Sequence, residues 1–467
     1  MVNNSLAMMP HQTTAVEWIH RVQRGLLADE PGLGKSRTAI ESFDGGKVLV
    51  VAPALIINSG TWTNEINRWA KHPDGFHLAS YTMLNARRKT DPNRPSTTRP
   101  IPMPRPEFGG HWDAVVFDEA HYIKGRKTVW VPVAREIADN ADSALLMTGT
   151  PVTHWGTDLF VPLQVIHPDE SHPGERFGSY WRWAMNWFQP KFSPHSKYAL
   201  GDLIGCTPQC RALPLGHECE HYRRFTHDNL GEQFLRRTRD EVLPDLPPLT
   251  YTEVLTPMSS GQKRAYQELK KHWLTEVEGH ETVVWSDGSR IDAMDLCTVS
   301  EWLLGDRVKP PTGGKFDQLR SDLSSRTTPT VVFAHHRAVV EASARVAEDI
   351  GARVGIVVGG QSSEANGKAV RDFLEGRTDV LVGSLSVMSE GLTLTRADML
   401  IFMEKTHRPA INEQAMRRVH RIGQSRPVTV LDYITPKSLD ENKRKSLDKK
   451  IEHSDRILSA ATVKEWV

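Results

Sequence analysis

The chain has 467 residues, 39% of them hydrophobic and 25% charged, and its 58 Lys and Arg against 57 Asp and Glu leave a formal net charge of +1 at pH 7. This is the composition of a globular chain able to bury a sizeable core, and it excludes the disordered and fibrous classes. It also excludes a global basic field, so any contact with nucleic acid has to come from a local patch.

In chain order, the first chemical signal is ADEPGLGKS, Ala28 to Ser36, between an apolar GLL and the helical RTAIESF. Gly32 and Gly34 permit a loop whose backbone N–H groups wrap phosphate oxygens. Lys35 then reaches the β- and γ-phosphates of ATP, and Ser36 binds Mg²⁺. Leu33 and Arg37 are counted with this loop. The strict pattern has Gly where Asp29 stands, and a glycine-rich turn before a helix is the alternative reading.

KVLVVAPA, from Lys47, reads as a buried strand, and an amphipathic stretch follows through Trp62, Ile66 and Trp69. Arg87 to Pro106 is Pro-rich and basic and reads as a mobile loop. HWDAVVFDEAH, from His111, is a second strand that ends in Asp118 and Glu119. Ligands of α/β sheets sit at that edge. Asp118 suits a Mg²⁺ site beside the phosphate loop, and Glu119 suits the orientation or deprotonation of water; an acidic strand end in solvent is the plainer alternative. SALLMTGTPV, from Ser143, is a third strand.

The middle of the chain, from about Phe160 to Pro310, is rich in Trp, Arg and His with weak strand signals, and reads as helical insertions and connecting helices. LPDLPP, from Leu243, reads as a connector. The last third returns to strands in PTVVFAHH, ARVGIVVGG, TDVLVGS, ADMLIFME and VTVLDYI. Helices stand in AVVEASARVAEDIG and through Val370, Phe373 and Leu374. Continuous apolar runs separated by helices indicate parallel sheets covered on both faces, and two such arrays indicate two α/β lobes. The expected division is a first lobe over 1–165, a helical insertion and linker over 166–310 and a second lobe over 311–467.

Cys206, Cys210 and Cys219, with His217 and His221, fall within one short stretch, while Cys297 stands apart. Three thiols and an imidazole are a candidate Zn²⁺ set for a small element over 206–221, although the spacing is not that of a standard finger. A His-rich loop with free thiols is the alternative. So few Cys make no disulfide framework, which points to a reducing, cytoplasmic setting with the nucleus left open. No long apolar run suggests a membrane span, and the start MVNNSLAMMPHQ lacks the pattern of a secretory signal.

Together these motifs resemble the superfamily 2 helicase-like ATPases, in which the position of Asp29 need not be Gly. DEAH from Asp118, including His121, and TGTPV from Thr148, with Gly149 and Thr150, are similar to their second and third motifs. Gln12 sits where the family's adenine-reading Gln lies. NEQAMRRVHRIGQ, Asn412 to Gln424, resembles the sixth motif of the SWI/SNF-type DNA translocases. By that resemblance Arg421 is the arginine finger, Arg418 its partner, and Gln414 a coupling residue. A guanidinium fork suits the charge that develops on a γ-phosphoryl group, and the i, i+3 spacing places both arginines on one helix face. FLRRTRDEVLPDLPP (from Phe234) resembles the segment between the family's lobes, and SEGLTLTRADMLIFME, with Gly391, the fifth motif, closest to the annealing-helicase branch.

The resemblance implies two RecA-like parallel-sheet lobes that hydrolyse ATP with Mg²⁺, and a monomer that translocates on double-stranded DNA to remodel or anneal branched DNA. Two departures, Met388 with Ser389 in the fifth motif and Arg417 where an acid is usual in the sixth, bear on coupling to movement. The alternatives are a strand-separating DEAH-type helicase on single-stranded DNA or RNA, and a DNA-binding clamp with an idle ATPase.

Overall fold

A computed structural model describes residues 7–58, 60–89, 101–125, 128, 130–152, 155–191, 199–213, 219–263, 267, 282–284, 290–292, 311–388, 392–421 and 423–461. The chain divides into two units. One runs to Pro244 and takes in the chain again from Lys450; the other spans Asp245–Lys449.

The first unit holds β1 (Arg24–Leu27), β2 (Val48–Ala52), β3 (Phe76–Ser80), β4 (Asn85–Lys89), β5 (Ile101–Pro104), β6 (Trp112–Asp118), β7 (Ala141–Met147), β8 (Phe188–Lys191), β9 (Ala199–Leu203) and β10 (Phe234–Leu235). Its main sheet has the order β10-β1-β7-β6-β2-β3 and is parallel throughout. Every residue of β2 is buried because helices cover both faces of the sheet. Alternation along the strands sorts the side chains. Leu49, Val51, Val115 and Phe117 pack with Val133 and Ile137 of the helix Trp130–Asp139. Val48, Val50 and Val116 pack on the other face with Ile40, Trp62 and Ile66.

The second unit holds β11 (Leu249–Leu255), β12 (Thr282–Val284), β13 (Arg290–Asp292), β14 (Thr330–Ala334), β15 (Val354–Val357), β16 (Val380–Ser384), β17 (Met399–Phe402) and β18 (Val428–Ile434). Its main sheet, in the order β11-β18-β17-β14-β16-β15, is also parallel. The helices Arg337–Asp349 and Ser363–Leu374 fall where the sequence periodicity places them. Two parallel-sheet α/β units are thus the architecture expected from the sequence.

Several local expectations are corrected. The flanks of the basic Pro-rich segment form an antiparallel hairpin, β4 with β5, with 90–100 outside the described residues. The middle stretch is not purely helical, since β8 and β9 form a second hairpin, β10 joins the first main sheet and β11 the second. β11 escapes a reading based on apolar runs because it pairs only with β18 and is largely exposed. Nor does 166–310 stand as a region of its own: it is split at Pro244, within the LPDLPP connector. The last helix, Leu439–Ala461, returns the chain to the first unit. No helix among the described residues is long and apolar enough to cross a membrane.

Candidate nucleotide site

The site in the first unit grows from the carboxyl ends of β1, β6 and β7, neighbours in the sheet. β1 delivers the chain into the loop Ala28–Gly34, and the helix Lys35–Phe43 follows at once. Gly34 caps that helix in the left-handed region, with φ 78°, and Gly32 has φ 94°, so the loop bends where a side chain would be strained. Gln12 lies over the bend: it is 4% exposed and its Nε2 donates to the Gly34 carbonyl at 3.3 Å. His11 Nε2 is 2.8 Å from the Leu33 carbonyl oxygen.

Lys35 Nζ donates to the carbonyls of Asp29 at 2.6 Å and Glu30 at 3.3 Å, folding the ammonium back into its own loop. Burial pulls its pKa down, while Glu119, Asp29 and Asp118 oppose that pull. Asp118 is pushed up to about 6 by burial and by Glu119 beside it, against the Trp62 indole and Lys35. Trp62 Nε1 donates to Asp118 Oδ2 at 2.9 Å, the Glu119 N–H to Asp118 Oδ1 at 2.9 Å, and the Tyr81 hydroxyl to the Asp118 carbonyl at 2.8 Å.

Glu119 has φ 49°, a conformation that non-glycine residues seldom adopt and that clusters at functional positions. Its Oε2 is 3.3 Å from His121 Nδ1, which is 3.4 Å from Thr148 Oγ1. Thr148 Oγ1 accepts in turn from the Thr150 N–H at 3.1 Å. A polar chain thus joins the acid at the end of β6 to the loop after β7. Gly149 brings that loop onto the phosphate loop, since a Cβ there would lie 2.5 Å from Pro31 Cγ.

Two residues counted with the phosphate loop do other work. The Asp29 carboxylate, 2% exposed, is gripped by Arg237, through Nε at 3.0 Å and Nη2 at 2.5 Å, with the Arg237 N–H adding a bond at 3.0 Å. Arg37 lies over the Trp69 ring, 3.8 Å from its centroid. Ser36 is partly exposed in the first turn of the helix.

The sequence reading missed a set of three arginines. Arg236 Nη1 donates to the Ala28 carbonyl at 2.9 Å, Arg237 also donates to the His11 carbonyl, and Arg239 Nε donates to the Pro31 carbonyl at 2.9 Å. Their signal in the sequence is RRTR within FLRRTRDEV, the string that resembles the segment between the family's lobes.

In the second unit, Arg418 stands in the last turn of the helix Pro409–Val419, but Arg421 lies beyond the end of that helix. The expected shared helical face is therefore not formed. His420 leaves the helical range, with ψ 87°, and Gly423 turns the chain at φ 98°. Arg421 Nη1 donates to Thr393 Oγ1 at 3.1 Å. Gln414 is buried, whereas Gly391 lies outside the described residues. Buried Glu404 accepts from the His336 N–H at 3.1 Å; burial works against its charge, yet His336, Lys315 and Lys443 bring it down to about 2.

Of the zinc candidates, Cys206, Cys210 and Cys219 are brought together, whereas His221 stands outside the set they form. His217 lies outside the described residues.

A glycine-bent loop after a parallel strand, a lysine opening the next helix and an acid pair ending a nearby strand define a phosphate-loop α/β protein. The comparisons narrow this class. Residues 11–296 match the SNF2-related domain and residues 314–423 the helicase conserved C-terminal domain, and the chain belongs to the SNF2-related family. It is 26% identical over 458 residues to the human DNA annealing helicase and endonuclease ZRANB3, with 93% of this chain and 39% of that protein covered. It is 24% identical over 488 residues to the Saccharomyces cerevisiae ISWI chromatin-remodeling complex ATPase ISW1, with the same shares covered. The chain thus spans about two fifths of the length of these relatives. Against the solved Sulfolobus solfataricus SWI2/SNF2 ATPase core in complex with dsDNA it aligns over 98% of this chain and 94% of that one, with 18% identity and a TM-score of 0.40.

Proposed function

We propose that the chain is an ATP-driven translocase on double-stranded DNA that remodels or anneals branched DNA. The observation that carries the ATPase part is the convergence of Lys35, Asp118 and Glu119 around a loop of left-handed glycines. That loop fits a nucleotide: its backbone opens a helix N-terminus and its lysine is placed among the acids. Gln12 reads the adenine edge, Lys35 neutralises phosphate charge, and Ser36 with Asp118 hold Mg²⁺. The cation, when bound, offsets the charge of the phosphate oxygens.

Glu119 orients the attacking water and takes its proton. The Glu119–His121–Thr148 chain is then the route by which the state of this acid reaches the Thr148–Thr150 loop. Arg418 and Arg421 serve the charge that develops on the phosphoryl group. The Asp-Glu-Ala-His string is read as the acid motif of this family rather than as a mark of the DEAH-box helicases.

The DNA part rests on family membership and on relatives named for DNA annealing and chromatin remodelling. The near-neutral charge means that the track is held by local phosphate contacts, hence with little sequence preference and strong salt dependence. A monomer is the proposed working form, with one lobe in each unit. The test is the ATPase rate with duplex, forked and single-stranded DNA and with RNA, alongside Glu119→Gln. Stimulation by duplex or forked DNA is expected. Stimulation by RNA alone would overturn the track, and no ATPase under any condition would favour a clamp.

A further inference from the structure

Cys206, Cys210 and Cys219 play no part in the nucleotide site, and they arrive from three separate places. Cys206 lies in the turn after β9, Cys210 in the short helix Pro208–Arg211, and Cys219 is the cap residue of the helix Glu220–Asn229. All three sulfurs lie within 4.8 Å of one another, and those of Cys206 and Cys219 are 3.8 Å apart. A disulfide needs about 2.05 Å. Zinc–thiolate bonds of about 2.3 Å at tetrahedral angles set sulfur–sulfur separations of about 3.8 Å.

Packing alone accounts for one of these thiols. Cys206 is buried and behaves as a small apolar side chain in the core. Cys210 and Cys219 are only partly buried, at the edge of that core, where packing does not require three thiols to converge on one point. His221 is close but is not part of the group. Its imidazole rests on the backbone of Gly205, where a Cβ would lie 2.5 Å from Nε2, and this glycine has φ 83°.

We propose that Cys206, Cys210 and Cys219 bind one Zn²⁺ as three thiolates, with water in the fourth position. Binding forms three Zn–S bonds and releases the three thiol protons to solvent. The metal then clips the turn after β9, the short helix and the start of the helix Glu220–Asn229 to one point. Between them Thr207, Gln209, Ala212 and Leu213 are exposed, and 214–218 lie outside the described residues. A cross-link of this kind transfers metal-binding free energy to the folding of the segment it closes.

The test uses the full chain purified under reducing conditions, supplied with Zn²⁺ and dialysed. The expected content is about one zinc per chain. Replacement by Co²⁺ should give the strong near-ultraviolet thiolate-to-cobalt band and the visible bands of a tetrahedral ion. Cys210→Ser, at the partly exposed thiol, should lose the metal and the band while the far-ultraviolet circular dichroism stays unchanged. Cys297→Ser should keep both. His221→Ala should also keep the metal, and its loss there would overturn the three-thiolate set. Zinc near zero in a folded, zinc-supplied sample would end the proposal, as would a Cys210→Ser variant that still holds zinc.

Discussion

Arg237→Ala should destabilise the first unit and loosen the phosphate loop out of proportion to a single surface arginine. The Asp29 carboxylate is 2% exposed and accepts two side-chain bonds and one backbone bond, all from Arg237. Truncation removes both side-chain donors and leaves a buried carboxylate with the backbone N–H alone. Breaking a buried pair from one side costs about 3–5 kcal/mol. At about 1.4 kcal/mol per factor of ten, that is a shift of about a hundredfold to a few thousandfold in the folding equilibrium. Urea unfolding followed by tryptophan fluorescence measures it, and nucleotide titration measures the loop. Because Asp29 and Lys35 share this loop, ATP affinity should fall together with stability. Arg237→Lys should recover only part of the loss, since an ammonium cannot reproduce the guanidinium fork. Asp29→Asn combined with Arg237→Ala should recover most of it, because the stranded charge is gone. A single variant within about 0.5 kcal/mol of the parent, or a double-mutant cycle with no coupling, would refute this account of the loop.

Glu119→Gln should bind ATP normally yet lose at least about a hundredfold in hydrolysis rate, the usual contribution of a positioned base, and steady-state phosphate release checks it. Gly149→Ala should cost about 1–3 kcal/mol, since its methyl would fall 2.5 Å from Pro31 Cγ, and should lower the ATPase rate by displacing one loop from the other; thermal unfolding and turnover together test it. Stability of the first unit should fall between pH 6.5 and 4. Burial, partly opposed by Asp202, Asp158 and Glu452, brings His453 down to about 4 from 6.5. The folded form thus binds fewer protons than the unfolded chain over that window. The stability present above pH 6.5 is lost as pH falls, by up to about 3 kcal/mol, and urea titrations of His453→Gln should show a flatter profile.

The legible parts of this protein are those whose signal is local. β2 is an unbroken apolar run, and β6 and β7 announce themselves by the apolar stretches AVVF and ALLM at their centres and ends. The phosphate loop and the acid pair are legible because their chemistry needs fixed residue types at short spacing. β11 is not, because an exposed edge strand needs no apolar run, only a register with β18. The Arg237–Asp29 pair spans a sequence separation of 208 residues. In the sequence its two halves stand apart: Asp29 is a departure from the glycine pattern, and the arginines are part of a link. Only the fold shows that one explains the other. With a carboxylate in the loop where the strict pattern has glycine, a cation must come from elsewhere to bury it, and the strand β10 carries that cation in.

The same distinction accounts for the length of the sixth-motif string. Only Arg418 and Arg421 were assigned to chemistry, yet thirteen residues from Asn412 to Gln424 carry the likeness. Asn412 closes the Thr406 turn, accepting from its N–H at 2.9 Å and donating to its carbonyl at 3.0 Å. His420 Nε2 lies 2.7 Å from the Pro247 carbonyl, tying the helix end to the connector. Gln424 Nε2 donates to the carbonyls of Ala397 at 2.7 Å, Thr395 at 3.2 Å and Val419 at 3.2 Å. These amide and imidazole groups hold the turn in which Arg421 sits after the helix has ended. An arginine on a regular helix would need no such support. One placed past the helix end does, because its direction is otherwise set by a loop free to open. Gln424→Ala should therefore disorder Arg421 rather than the helix, lowering hydrolysis while the stability of the helix Pro409–Val419, read by amide hydrogen exchange, stays within about 1 kcal/mol of the parent. Protection lost throughout that helix instead would show that the amide supports the fold, and that Arg421 gains its position some other way.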